Sequence, residues 1–426
     1  MAFTLAPRRS FRWPAQVTPA VALLLAISAL TPASASFCAD YLQAFKCPKL
    51  PSFDTVDISK YTGRWYEVAL TARFRFQSEV GLTCTTADYT ANGEVNGQKR
   101  IKVLNRGKRS VAGPRQAQVL LASVNSNRIA TNLGIVCRVA VNAAKASAQA
   151  QALLSANASA SAAATGIGGT SELLGAANPL AAFVTSVSSD AEIIDNAVRD
   201  FQMALNTMNG RPQPKDFSGA KSKMFKSISN IQGAGGRLIQ AAFTGRTAAQ
   251  GLSGALNGLS GQNAKTAANG LQSFLRGTRL YFAATSIVRL ATAMVPTVLS
   301  MVPSPFTRVG QGGFPRAKAI QSKSNAGQLF VIFFGQKSKE PNYIITDLQG
   351  DASSGYSLAT VYTCYQGKTT LWLLSRTPSV TQSDIDSALE RVTTAGLRLT
   401  GANTLLPTDH TTSWCSKYRK RIDKTN

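Results

Sequence analysis

Apolar and polar residues alternate in short runs over two separate stretches of the chain. Residues 64–69, 85–91 and 100–105 carry the pattern in the first stretch, and 318–321, 328–334, 343–348, 358–364 and 370–375 carry it in the second. A period of two puts every other side chain on one face, as in a strand with one buried side. Asn92-Gly93 and Asn96-Gly97 lie between the second and third runs and supply the positive φ that a hairpin turn demands. Beyond Pro378 the period changes. Ile385, Leu389 and Val392 fall on one helical face, Thr381 with Asp384 three residues on offers a cap, and Gly396 offers a stop.

Between the two strand-rich stretches the text is of another kind. Residues 143–169 are rich in Ala, Ser and Gly, and few aromatics occur from 108 to 313. Leu252, Leu256, Leu259, Leu271, Phe274 and Leu275 keep helical spacing, and 280–301 is nearly all apolar apart from Arg289 and small polar residues. Helices are expected over 220–303, whereas 141–170 reads as an expanded loop because its composition offers little to bury.

Charge sharpens the contrast. The formal net charge is +25, and the middle segment 108–307 holds 18 basic residues against 6 acidic ones. A second basic cluster, Lys417-Tyr418-Arg419-Lys420-Arg421, sits in the tail. The basic residues are dispersed and no aromatics interleave with them in the middle segment, which argues against nucleic acid; an anionic membrane surface or a polyanion suits them better.

The amino terminus points outward from the cell. Arg8, Arg9 and Arg12 precede an apolar run at 17–30 and the small residues Ala33-Ser34-Ala35, the three regions of a cleavable signal peptide spanning 1–35. Secretion or another extracytoplasmic location follows. Arg8-Arg9-Ser10-Phe11 also resembles a twin-arginine signal, which would fit the lumen of an organelle such as the thylakoid. Six cysteines (Cys38, Cys47, Cys84, Cys137, Cys364, Cys415) are then expected as disulfides, with 15 pairings open. Neither a CxxC pair nor a cluster of His and carboxylates suggests a metal, and no cofactor is implied. His410 is the one histidine and no Gly-x-Ser-x-Gly elbow accompanies it, so hydrolytic triad chemistry is not expected. Asn157-Ala158-Ser159 is a glycosylation sequon.

The segment from Asp54 through Asp57-Ile58-Ser59-Lys60-Tyr61-Thr62-Gly63-Arg64-Trp65-Tyr66-Glu67 resembles the opening of lipocalins, most like the apolipoprotein D and bacterial lipocalin branch. Further matches follow in family order: Ala87-Asp88-Tyr89, Ile101-Lys102-Val103-Leu104-Asn105-Arg106-Gly107, Ala317-Lys318-Ala319, residues 329–334, and Leu371-Trp372-Leu373-Leu374-Ser375-Arg376. The resemblance covers 50–107 and about 310–415. It implies an all-β fold: an eight-stranded antiparallel up-and-down barrel with a C-terminal helix, interrupted between its third and fourth strands.

On that reading the chain divides into the signal (1–35), the first part of the barrel (36–107), a basic insertion (108–313), the second part of the barrel (314–415) and a basic tail (416–426). Gly63, Trp65 and Arg376 become structural markers, with Arg376 stacked over Trp65 at the closed end. The resemblance further implies the pairs Cys47–Cys364 and Cys84–Cys415. Cys38 and Cys137 are left over, and a third bridge between them would tie the insertion to the barrel.

A barrel of eight strands encloses room for one small ligand. Strand parity places Glu67, Ala69, Trp372 and Leu374 on the inner face, and family alternation adds Ala87, Tyr89, Ile101, Val103, Leu329, Val331 and Phe333. So apolar a wall suits a fatty acid, lysolipid, sterol or isoprenoid, held for transport or sequestration. The rival is an enzyme acting on such a lipid, with Glu67 or Tyr89 as acid or base. The insertion leaves the barrel at its mouth, where it is expected as a helical lid or as a module docking on a membrane or partner.

Overall fold

The computed structural model of the chain describes residues 35–44, 46–109, 114–161, 169–209, 214–257, 279–301, 310–333, 338–351, 355–365, 367–411 and 413–423. Residues 1–34, which hold nearly all of the expected signal peptide, therefore lie outside the described residues. Alternating runs become β1 (Gly63–Thr71), β2 (Leu82–Val95), β3 (Gln98–Arg109) and β4 (Gly310–Gln321), then β5 (Gln328–Phe333), β6 (Tyr343–Asp351), β7 (Gly355–Tyr365) and β8 (Lys368–Ser375). Each pairs antiparallel with the next, and β1 pairs with both β2 and β8, so the eight strands close into an up-and-down barrel. A short β9 (Leu405–Pro407) is added along the far end of β1.

Two glycine signals resolve differently. Asn96 and Gly97 both have positive φ, 54° and 74°, and form the two-residue turn between β2 and β3. Gly93 instead lies in a register shift between Ala91 and Glu94 inside β2, so Asn92-Gly93 marks a bulge and not a turn. Gly63 opens β1 at φ 98°, and a Cβ there would stand 3.2 Å from Arg376 Nη1.

Among the described residues helices far outweigh strands, which overturns an all-β class for the whole molecule. Three short ones serve the barrel's amino-terminal side: α1 (Ser36–Gln43), α2 (Ile58–Tyr61) and α3 (Ala72–Gln77), the last following β1 directly. The insertion supplies α4 (Pro114–Ser161), α5 (Gly169–Asn209), α6 (Pro214–Asn257) and α7 (Arg279–Ser300). Beyond the barrel come α8 (Gln382–Thr394) and α9 (Ser413–Asp423). The Thr381–Asp384 capping box forms as the sequence suggests, and Ala388 and Ile385 of α8 pack against Val68, Ala69 and Leu373 on the barrel's outer surface.

Within the insertion α4, α5, α6 and α7 form a bundle in which each helix packs on two of the others. The expanded loop expected at 141–170 is corrected: α4 runs through residue 161, with Ala143, Ala146 and Ala150 buried. Alanine loses no side-chain entropy on entering a helix, and its small size lets axes approach closely. A composition that looks too poor to build a core is therefore an interface of small residues. Close approach recurs at Gly235, where a Cβ would stand 2.7 Å from Val288 Cγ2 of α7. Leu252 and Leu256 are buried as their spacing predicts, whereas Leu259, Leu271, Phe274 and Leu275 lie outside the described residues. The apolar run becomes α7, a helix long and apolar enough to cross a membrane, whose Leu280, Ala283, Ala284, Ile287, Ala291, Met294 and Val298 face the bundle core.

The bundle is tied to the barrel by covalent and packed contacts together. Cys38 of α1 bonds Cys137 of α4, and the other disulfides are Cys47–Cys364 and Cys84–Cys415. Tyr41 Oη donates to the Ala130 carbonyl at 2.9 Å, and Asn206 Nδ2 donates to the Pro407 carbonyl at 2.8 Å. Ala72 and Phe76 of α3, with Val80 and Leu406, belong to the same apolar core as the four long helices. A second, separate core fills the barrel around Trp65, Ile101, Leu329 and Val361.

Candidate functional site

One end of the barrel is sealed. Asp57 caps α2 by accepting from Ser59 N at 2.9 Å, which lays Tyr61 across the opening. Trp65 Nε1 donates to the Tyr61 carbonyl at 2.8 Å, and the Arg376 guanidinium lies 3.9 Å from the Trp65 ring centroid. Arg376 also donates to the carbonyls of Lys60 (2.9 Å), Thr62 (2.7 Å) and Arg64 (2.7 Å). Planar delocalised charge suits both tasks, stacking on the indole while its fork ties down the chain that closes the barrel.

Above this seal lies a cavity of about 660 Å³. Its floor is a chain of hydroxyls: Tyr343 Oη lies 2.8 Å from Tyr61 Oη and 2.8 Å from Tyr89 Oη. Burial raises the pKa of all three phenols, Tyr89 to about 12, so they stay protonated at neutral pH. Ala87, Val103, Val331, Trp372 and Leu374 form an apolar wall above them. Towards the mouth the lining turns to Phe74 and two carboxyl groups, Glu67 and Glu79.

These carboxyls share one cation. Arg75 reaches Glu67 Oε1 at 2.7 Å and Glu79 Oε2 at 3.1 Å, and all three side chains are buried. Thr408 Oγ1 donates to Glu67 at 2.8 Å and accepts from Arg75. Burial, then the neighbouring Glu67 charge, holds the Glu79 carboxyl well above the usual carboxylate range. His410 supports the same strand from outside the cavity lining, with Nε2 2.8 Å from the Glu67 carbonyl.

No family model and no curated protein matches the chain.

The cavity gathers Glu67, Ala87, Tyr89, Val103, Val331, Trp372 and Leu374 from the residues that the sequence places on the inner face. Ile101 and Leu329 lie in the barrel core without lining the cavity. Ala69 is a correction: a register shift between Glu67 and Ala69 reverses the parity of β1, and Ala69 packs with Leu373 under α8. Phe333 has its backbone paired with Ala317, and its side chain lies outside the described residues.

Sequence reasoning missed Phe74, Ser78 and Glu79, which enter from α3 and its C-terminal end. Six residues are too few to reveal a helical period, and Arg73-Phe74-Arg75-Phe76 alternates as a strand would. Thr363 and Tyr365 also line the cavity and were legible, since they continue the inward set from Val361 along β7 at a period of two. No described residue of the insertion lines the cavity; α3 stands at the mouth, with Phe74 edge-on to Trp372 at 5.2 Å and Phe76 in the bundle core.

Burial lowers the His410 pKa from its ordinary 6.5, so the unfolded chain binds this proton at a higher pH than the folded one. The associated stability is complete above the unfolded value and is lost as pH falls towards the folded one. Urea midpoints measured in a pH series should decline more steeply below about pH 6.5 in the parent than in His410→Gln, whose amide can still donate to the Glu67 carbonyl. Parallel curves would remove His410 as the source.

Proposed function

We propose that this protein is a lipocalin-like carrier that binds one small hydrophobic molecule in the barrel and works in an extracytoplasmic compartment. The observation that carries the reading is the cavity itself: about 660 Å³, closed below by Tyr61 and Arg376 and walled by Trp372, Leu374, Val331 and Val103. Burying an apolar ligand against such a wall contributes roughly 25 cal/mol per Å² of surface removed from water. The sequence motif around Gly63 and Trp65, with Arg376 on the last barrel strand's end, supports the family resemblance, and three disulfides suit an oxidising environment.

In this reading the insertion acts on the mouth at one remove. Its core receives Phe76 from the helix whose Phe74 faces the cavity, so the bundle holds α3 in place. Native mass spectrometry of protein purified from its own secretory route tests the carrier reading. A copurifying small molecule at one per chain, displaced by an added hydrophobic probe, is the expected result; a protein that arrives empty and takes up no such probe defeats it.

A membrane-facing role for the bundle is favoured by one observation. Phe243 and Phe282 are 56% and 64% exposed and meet edge-to-face through Tyr281, in a segment rich in basic residues. Apolar rings beside cations suit an anionic bilayer surface. Flotation with phosphatidylserine vesicles should recover the protein, and Phe243→Ser with Phe282→Ser should leave it at the bottom of the gradient. Equal recovery of both forms would refute the docking role.

A further inference from the structure

We infer that the cavity selects an uncharged lipid bearing a hydrogen-bond acceptor at one end, an ester, ketone or alcohol, and excludes long-chain carboxylates. The inference rests on the carrier reading and follows from the placement of charge and hydroxyls. Among the described residues lining the cavity the only ionisable carboxyl or basic groups are Glu67 and Glu79. The cation paired with them, Arg75, does not line the cavity and is held by both carboxyls and Thr408. With both carboxyls ionised the cluster is negative, and with Glu79 protonated it is neutral. Neither state leaves positive charge for an incoming carboxylate, whose burial without a partner is costly.

The floor supplies what a neutral head group needs. Three hydroxyls carry three protons, and the two contacts joining them through Tyr343 use two. Tyr61 is fully buried and outside the lining, whereas Tyr89 and Tyr343 both face the cavity. Leaving the spare proton on Tyr61 would strand a buried donor, so the stable arrangement turns it into the cavity from Tyr89 or Tyr343. There it meets a ligand's carbonyl or hydroxyl oxygen. Raised phenol pKa values keep the donor protonated. Trp372 and its apolar neighbours then cover the rest of the molecule.

The test compares probes of one chain length: hexadecanoate, methyl hexadecanoate and hexadecane, titrated at pH 8 into the full secreted chain with tryptophan fluorescence as readout. Methyl hexadecanoate should bind at least about tenfold tighter than hexadecanoate, a difference of about 1.4 kcal/mol. Tyr89→Phe with Tyr343→Phe should weaken the ester and leave hexadecane unchanged. Glu67→Gln with Glu79→Gln strips Arg75 of its carboxyl partners and should reverse the order in favour of hexadecanoate. If that variant does not fold, the parent's order of affinities and the Tyr89→Phe, Tyr343→Phe protein still decide the inference. Hexadecanoate binding as tightly as its ester in the parent protein overturns the selectivity and leaves the carrier reading standing, whereas failure of all three probes overturns the carrier reading and this inference with it.

Discussion

Arg376→Met is expected to lower the unfolding free energy by about 2–4 kcal/mol, through the loss of donors that close one end of the barrel. Methionine keeps much of the apolar stem but none of the donors. The carbonyls of Lys60, Thr62 and Arg64 lose their charged partner together, and the Trp65 face loses its cation. Because those carbonyls belong to the segment that carries Tyr61, the floor loosens with the seal. Urea denaturation should show a lower midpoint with an unchanged slope, and Arg376→Lys should recover only part of the difference, since an ammonium cannot stack and fork at once. A midpoint within error of the parent would show that the seal contributes nothing to stability.

Replacing Cys38 and Cys137 together by Ala is expected to be as disruptive, in a different place. The bridge closes a segment with a sequence separation of 99, and a loop of that size is stabilised by about 4–5 kcal/mol in the chain-entropy account. The barrel retains its other two disulfides and its own core, so the effect should fall on the bundle and its dock. Packing of Tyr41, Phe76 and Leu406 and the Tyr41–Ala130 and Asn206–Pro407 hydrogen bonds would then hold the bundle without a covalent tie. Limited proteolysis should cut within the insertion at protease levels that spare the parent, and a bound probe should exchange faster because α3 is less firmly held. Unchanged proteolysis and exchange would separate the mouth from the bundle.

What the sequence revealed follows from the length over which each pattern repeats. Strands of six residues or more show their period, so Glu67, Tyr89, Val103, Trp372 and Leu374 were assignable to the interior from alternation and the family motifs. Alternation fails where a single residue is added: the shift between Glu67 and Ala69 sends Ala69 outward, and nothing in Tyr-Glu-Val-Ala-Leu announces it. The third disulfide was left open because proximity of Cys38 and Cys137 depends on how α1 meets α4, a contact between remote segments. For the same reason nothing in the sequence marks Arg75 and Glu79, whose burial depends on how α3 packs against β1, Thr408 and the bundle. Alanine-rich text misled in the other direction, because low hydrophobicity was taken for lack of structure where it reflects helices packed closely.

The bundle also bears on how the barrel comes to be closed at all. Arg109 pairs with Gly310, so two adjacent strands are joined across about 200 residues, a separation whose loop entropy delays pairing in an open chain. The insertion returns on itself: Gln118 near the start of α4 donates to the Ser300 carbonyl at the end of α7. Entry and exit then stand side by side, and to the sheet the whole bundle is equivalent to a short turn. A bundle formed before the sheet would thus present β3 and β4 to each other as a hairpin, with the loop entropy of their pairing already met by helix packing.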